Sequence, residues 1–291
     1  MEYKNLIISN VPAISAIYFS LLQCKYDFYS IKRDTSLVNK LRSFIGSDCS
    51  ESEYNFFSDV RQNTCEVYPY WPRAAMLETA TFYIDCSLGK FRNLNAYRDN
   101  IMSAKNISDK ERDVLFWNWI ENFPKSLKRV LDSDGFNEYL KWENDWIVEQ
   151  NQQNNIELRN ICNILNICMK KFNSPIQNIE LVLSPIKCVY SADYHLYNKK
   201  FIYSSGSLKK EAILHEFIHH TIHPIVEKRK DEIAHYNFSN LNIDTSYYLD
   251  NDMTGRLNAF EEYSVRMLTD LIISGNIPDN LDVFLSNQMN S

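Results

Sequence analysis

Leu214-His215-Glu216-Phe217-Ile218-His219-His220 decides how this chain is read, because it sets two histidines four residues apart within a run of helical periodicity. Positions i and i+4 of a helix project from one face, one turn apart. Ala212, Ile213, Leu214, Phe217, Ile218, Ile222, Ile225 and Val226 supply helix-compatible apolar positions around the pair. Two imidazoles placed this way can hold one divalent ion, and Glu216, beside the first, can accept a proton from the attacking water. Ser207, just after Gly206, is the expected N-cap, and Pro224 is expected to kink or end the first helical stretch.

All six histidines (His195, His215, His219, His220, His223, His235) lie beyond residue 194. An imidazole site must therefore be built in the C-terminal part. His220 points off the His215/His219 face and reads as a surface or supporting residue. His223 lies one turn beyond His219, where it lines the cleft or is solvated at the helix end.

A catalytic zinc keeps three protein ligands and one open position. The extended motif with a third histidine is absent, since Thr221-Ile222-His223-Pro224 follows His220. The third ligand is therefore sought in residues 257–268, which read as a second helix with Leu257, Phe260, Val265, Leu268, Leu271 and Ile272 on one face. Two glutamates interrupt that face. Glu261 falls near its middle, where an unpaired carboxylate is costly unless it binds a metal. Glu262 falls at its edge, where core meets cleft and a ligand is expected.

The segments Leu214 to His220, Pro224-Ile225-Val226-Glu227-Lys228 and Glu262-Tyr263-Ser264-Val265-Arg266 together resemble the gluzincin class of zinc metallopeptidases. They are similar, more narrowly, to a bacterial family that pairs a HEFxH segment with a helix reading E-x-x-V-R. The resemblance spans about the last 120 residues. It implies His215, His219 and Glu262 as Zn²⁺ ligands, Glu216 as general base, and a peptide or protein as substrate. Gluzincins often carry an acidic residue one turn after the ligand glutamate, and Arg266 stands there instead. The implied fold is α+β and predominantly helical, with a zincin-like catalytic half whose small sheet lies beside the HExxH helix. Candidate oxyanion donors are Tyr247, Tyr248, His235 and His223.

Ile179 to Leu183 and Lys200 to Tyr203 read as short strands, the first stopped by Ser184-Pro185. A strand along the cleft could add an extended peptide to its edge. Before them the chain reads as helices: after Pro12, from Arg73 to Asp85, from Val114 to near Pro124, around Tyr139, Trp142 and Trp146, and from Ile161 to Phe172. Ser50-Glu51-Ser52-Glu53 and Ser108-Asp109-Lys110-Glu111 read as capping boxes. The polar run Gln150 to Asn155 reads as a loop or fraying point. The expected organisation is a helical half, 1–173, packed on a metal-binding half, 174–291.

Only 6 glycines and 8 prolines punctuate 291 residues, which favours long helices. A net charge of -6 without a Lys/Arg cluster argues against nucleic acid as partner. No segment reads as a membrane span. Seven cysteines form no CxxC pair, so the composition suits reduced thiols and a cytoplasmic setting. Two other readings are a silent binding protein on the same scaffold and a metal-dependent hydrolase of a non-peptide amide. The oligomeric state is left open.

Overall fold

The computed structural model describes residues 6–23, 35–44, 73–102, 114–187, 192–238, 241, 243 and 253–290. Strand β1 (Ile8–Ser9) leads into α1 (Pro12–Gln23), with proline at the first helical position, where its missing N–H is tolerated. Helices α2 (Thr35–Phe44) and α3 (Arg73–Thr81) come next, then the antiparallel ribbon of β2 (Ile84–Asp85) and β3 (Lys90–Phe91). Helices α4 (Leu94–Met102), α5 (Val114–Leu131), α6 (Asp134–Gln153) and α7 (Asn155–Lys171) follow. Strands β4 (Asn178–Leu183), β5 (Ala192–Tyr197) and β6 (Lys200–Ser205) precede α8 (Lys210–Lys228), α9 (Lys230–His235), α10 (Met253–Ile273) and α11 (Leu281–Asn290). The class is α+β, predominantly helical. No helix among the described residues is long and apolar enough to cross a membrane.

The main sheet runs β1-β4-β6-β5, with β1, β4 and β6 parallel and β5 antiparallel to β6. Successive strand residues face opposite sides, and the sequence uses that alternation twice. Val182 and Ile202 enter one core with α1, α3, α5 and α6. Leu181, Leu183, Phe201 and Tyr203 enter a second core with α7, α8, α10 and α11. Both cores draw on residues from either side of residue 173, and the sheet is the layer they share. At its far end the sheet is extended by a side chain: Asn151 Nδ2 donates to the Ile8 carbonyl and its Oδ1 accepts from the Ile8 N–H, both at 2.8 Å.

Several local expectations change. Helix α5 continues through Pro124, and α8 continues through Pro224 to Lys228. An internal proline costs about 3 kcal/mol. Here apolar residues on both sides of each proline are fully buried: Phe123 and Leu127 in one case, Ile222 and Val226 in the other. Burying one such side chain contributes about 1.5–3 kcal/mol, so two offset the proline. Helix α8 starts at Lys210 after an uncapped Lys209, not at Ser207. The helix expected from Arg73 to Asp85 stops at Thr81, and Ile84-Asp85 pairs as a strand with Lys90-Phe91. Gln150 to Asn155 is no loop; it holds the end of α6, a break at Asn154 and the start of α7. Both capping boxes lie outside the described residues. Cys86 and Cys168 are free thiols.

Candidate metal centre

Helix α8 packs against β5, β6 and α10, and that packing brings the motif onto the second helix. Phe217 and Ile218 are fully buried and fix the helix's rotation, which turns His215 and His219 toward α10. Phe260 and Val265 do the same for α10 and turn Glu261 and Glu262 toward α8.

Three donor atoms converge there. His215 Nε2 and His219 Nε2 are 3.2 Å apart, and Glu262 Oε2 is 3.5 Å from the first and 3.4 Å from the second. A tetrahedral ion with bonds of about 2.0–2.2 Å needs ligand-to-ligand edges of about 3.3–3.6 Å. The triangle has that size, and two imidazoles with a carboxylate are a donor set suited to Zn²⁺. The three side chains are 16–25% exposed, so the triangle borders solvent on one side.

Glu261, the alternative ligand, makes a different contact. Its Oε1 accepts from His219 Nδ1 at 3.1 Å and its Oε2 accepts from His223 Nδ1 at 3.0 Å. A hydrogen held on Nδ1 by Glu261 makes Nε2 the nitrogen that gives up its proton and offers a lone pair to an ion in the triangle. Arg266 Nε donates to Glu262 Oε1 at 2.8 Å, so an arginine holds the other oxygen of that carboxylate.

The charges respond to one another. Burial opposes a cationic His219, but hydrogen bonds to Glu261 and Glu262 outweigh it and lift the imidazole pKa to about 10. Burial would likewise raise Glu262, yet His215 and His219 hold its carboxyl well below the usual range. Burial pushes Glu216 up to about 8, with Asp193 and Glu262 adding to the rise and His219 and Lys187 opposing it. A carboxyl poised near neutrality suits proton transfer in either direction.

The remaining histidines are dispersed. His220 is buried, not at the surface: its Nδ1 meets the Phe217 carbonyl and its Nε2 lies 2.7 Å from Ser174 Oγ. Burial holds its pKa down at about 4 against that backbone bond. His223 borders the centre through Glu261, whereas His235 is exposed, its Nδ1 at 2.6 Å from the Asp231 carbonyl. Tyr247 and Tyr248 lie outside the described residues. His195 belongs to a buried charge cluster on the opposite face of the sheet.

Tyr194 was not singled out by sequence. Its ring stacks on His219 with centroids 5.9 Å apart and planes 10° from parallel. Burial, then Glu261 and Glu216, raise its phenol pKa and keep the hydroxyl protonated. The available signal was the hairpin. Tyr197 pairs with Lys200 across Asn198-Lys199, and both turn residues have positive φ (49° and 60°), as a type I′ turn requires. Lysine where glycine is usual hid the turn, and with it strand β5.

Comparison with family models, curated proteins and solved structures found no match to this chain.

Proposed function

We propose that the protein is a zinc-dependent metallopeptidase of gluzincin type, with α8, α10 and the β4-β6-β5 sheet forming a zincin-like catalytic half. The observation that carries the reading is the convergence of His215 Nε2, His219 Nε2 and Glu262 Oε2 beside a half-buried Glu216. His215, His219 and Glu262 would hold Zn²⁺, which supplies Lewis-acid chemistry: a water made nucleophilic near pH 7 and a polarised carbonyl. Glu216 accepts the proton of the attacking water at its carboxylate and later delivers it to the departing amine. Glu261 fixes the His219 ring through Nδ1. The protonated Tyr194 hydroxyl joins His223 as a candidate donor to the oxyanion.

The substrate class we infer is an extended peptide. Among the described residues, β5 pairs with β6 and has no strand on its other side. Tyr194 and Leu196 lie on the same face of β5, and Leu196 remains 43% exposed. A peptide adding to that edge would set its backbone by hydrogen bonds and its side chains against those two residues.

The test combines metal content with turnover. Chelator-free wild type should carry about one zinc per chain, and Glu262→Ala should carry none. Against a peptide library, wild type should cleave, while Glu216→Gln should keep its zinc and lose about 10²–10⁴-fold in rate or more. A wild type that binds no zinc after add-back rules the proposal out.

A further inference from the structure

On the sheet face opposite the metal centre lies a buried charge cluster. Lys187, just beyond β4, is fully buried and donates from Nζ to Glu78 Oε1 (2.8 Å), Asp193 Oδ2 (2.6 Å) and Ser204 Oγ (3.1 Å). All three ammonium protons are thereby used. Glu78, on α3, is also fully buried; its Oε2 lies 2.6 Å from His195 Nε2, and the Tyr18 hydroxyl donates to its Oε1. His195 Nδ1 lies 3.1 Å from Thr79 Oγ1.

The placement of these groups on β5 and β6 is informative. Asp193 and Ser204 are cross-strand partners, so one ammonium bridges both strands at a single rung. Asp193 and His195 are two apart and enter the cluster together. Tyr194, between them, projects to the other side and stacks on His219. A one-residue slip of β5 would turn every side chain to the opposite face. It would take Asp193 from Lys187 and His195 from Glu78 inside a buried site, and remove Tyr194 from His219. Buried ion groups are poor sources of net stability, and their best-attested use is to fix register.

We propose that Glu78, Lys187, Asp193 and His195 form a positioning device that locks the register of β5 and so holds Tyr194 against His219. The four are positioning residues: none touches the donor triangle, and the charges of Asp193 and Lys187, which also act on Glu216, do so in opposite directions. The functional importance of the lock rests on the metallopeptidase reading, whereas the lock itself does not.

With only six histidines, the ring Cε1–H signals of the full chain are resolvable by proton NMR, and the Tyr194 ring shifts that of His219. Tyr194→Leu should move the His219 signal. Asp193→Asn and Lys187→Met, each with a wild-type far-UV circular dichroism spectrum, should move it in the same direction, although neither residue touches His219. Rescue by Asp193→Glu should restore it in part. If the folded variants keep the wild-type His219 position while Tyr194→Leu moves it, the cluster only stabilises and the proposal is overturned. A signal unmoved even in Tyr194→Leu overturns it too. Should Lys187→Met fail to fold, Asp193→Asn decides, because Asp193 is partly exposed. Zn²⁺ added to the wild type reads the other hypothesis independently: unchanged His215 and His219 signals would refute metal binding without bearing on the lock.

Discussion

Glu261 Oε1 accepts a hydrogen bond from His219 Nδ1 at 3.1 Å, and this contact sets which nitrogen of His219 faces its neighbours. The adjacent residue, Glu262, meets the opposite nitrogen at 3.4 Å. Two consecutive carboxylates therefore grip one imidazole from both ends. Each has a different job: Glu261 selects the tautomer, and Glu262 completes the donor triangle.

That division separates two substitutions of the same type. Glu262→Ala removes one corner of the donor triangle and, on the proposed reading, should abolish stoichiometric zinc. Glu261→Gln keeps an acceptor of similar reach but no charge, and should weaken zinc affinity about 10–100-fold while leaving one zinc per chain at saturation. Competitive titration with a chromogenic chelator measures both. Equal loss of zinc in the two variants would contradict the assigned roles.

Apo protein should lose stability as pH rises through the alkaline range. His219 titrates near 10 when folded, against an ordinary value of about 6.5 when unfolded. The folded state then binds the extra proton, so the contribution is complete below about pH 6.5 and disappears on the way to pH 10. Zinc competes with that proton, so metal affinity should climb over the same interval. Thermal melts of apo and zinc-loaded protein from pH 6 to 10 should show a falling Tm only for the apo form.

The acid side is governed by a different histidine. His220 is held at about 4 by burial, so the unfolded chain takes up its proton first as pH falls. Stability from this group is present above about pH 6.5 and is lost between there and pH 4. His220→Gln removes the titration and should flatten the loss of Tm over that range, at the cost of a lower plateau near neutrality. An unchanged acid limb in His220→Gln would exclude His220 as its source.

Removing one partner of the Glu78–Lys187 pair should cost more than removing both charges. Their side chains are fully buried, and the ammonium is pushed up from its ordinary value despite the opposing effect of burial, because Asp193 and Glu78 stabilise it. Lys187→Ala leaves Glu78 without its ammonium and should destabilise by about 3–5 kcal/mol in urea unfolding. Lys187→Met with Glu78→Gln, which keeps volume and removes both charges, should recover part of that loss.

Features whose signal is local and periodic were legible in the sequence. Four-residue spacing put His215 and His219 on one helical face, and the apolar stripe around Phe260 and Val265 marked the second helix. Strands β4 and β6 were legible as short apolar runs because Leu181 to Leu183 and Phe201 to Tyr203 are buried on both faces. Local signals also misled where packing overrode them. Pro124 and Pro224 predict breaks, but the buried residues flanking each proline keep the helix going. Only the tertiary structure assigned Glu261 and Glu262 to different contacts, since neighbours on a helix differ by 100° and the crossing of α8 with α10 decides which one meets Nε2. It also brought Glu78 and Lys187, 109 residues apart, into one cluster, and set Tyr194 on His219. Such contacts depend on strand register and helix placement, quantities that belong to the whole fold and are absent from any short stretch of chain.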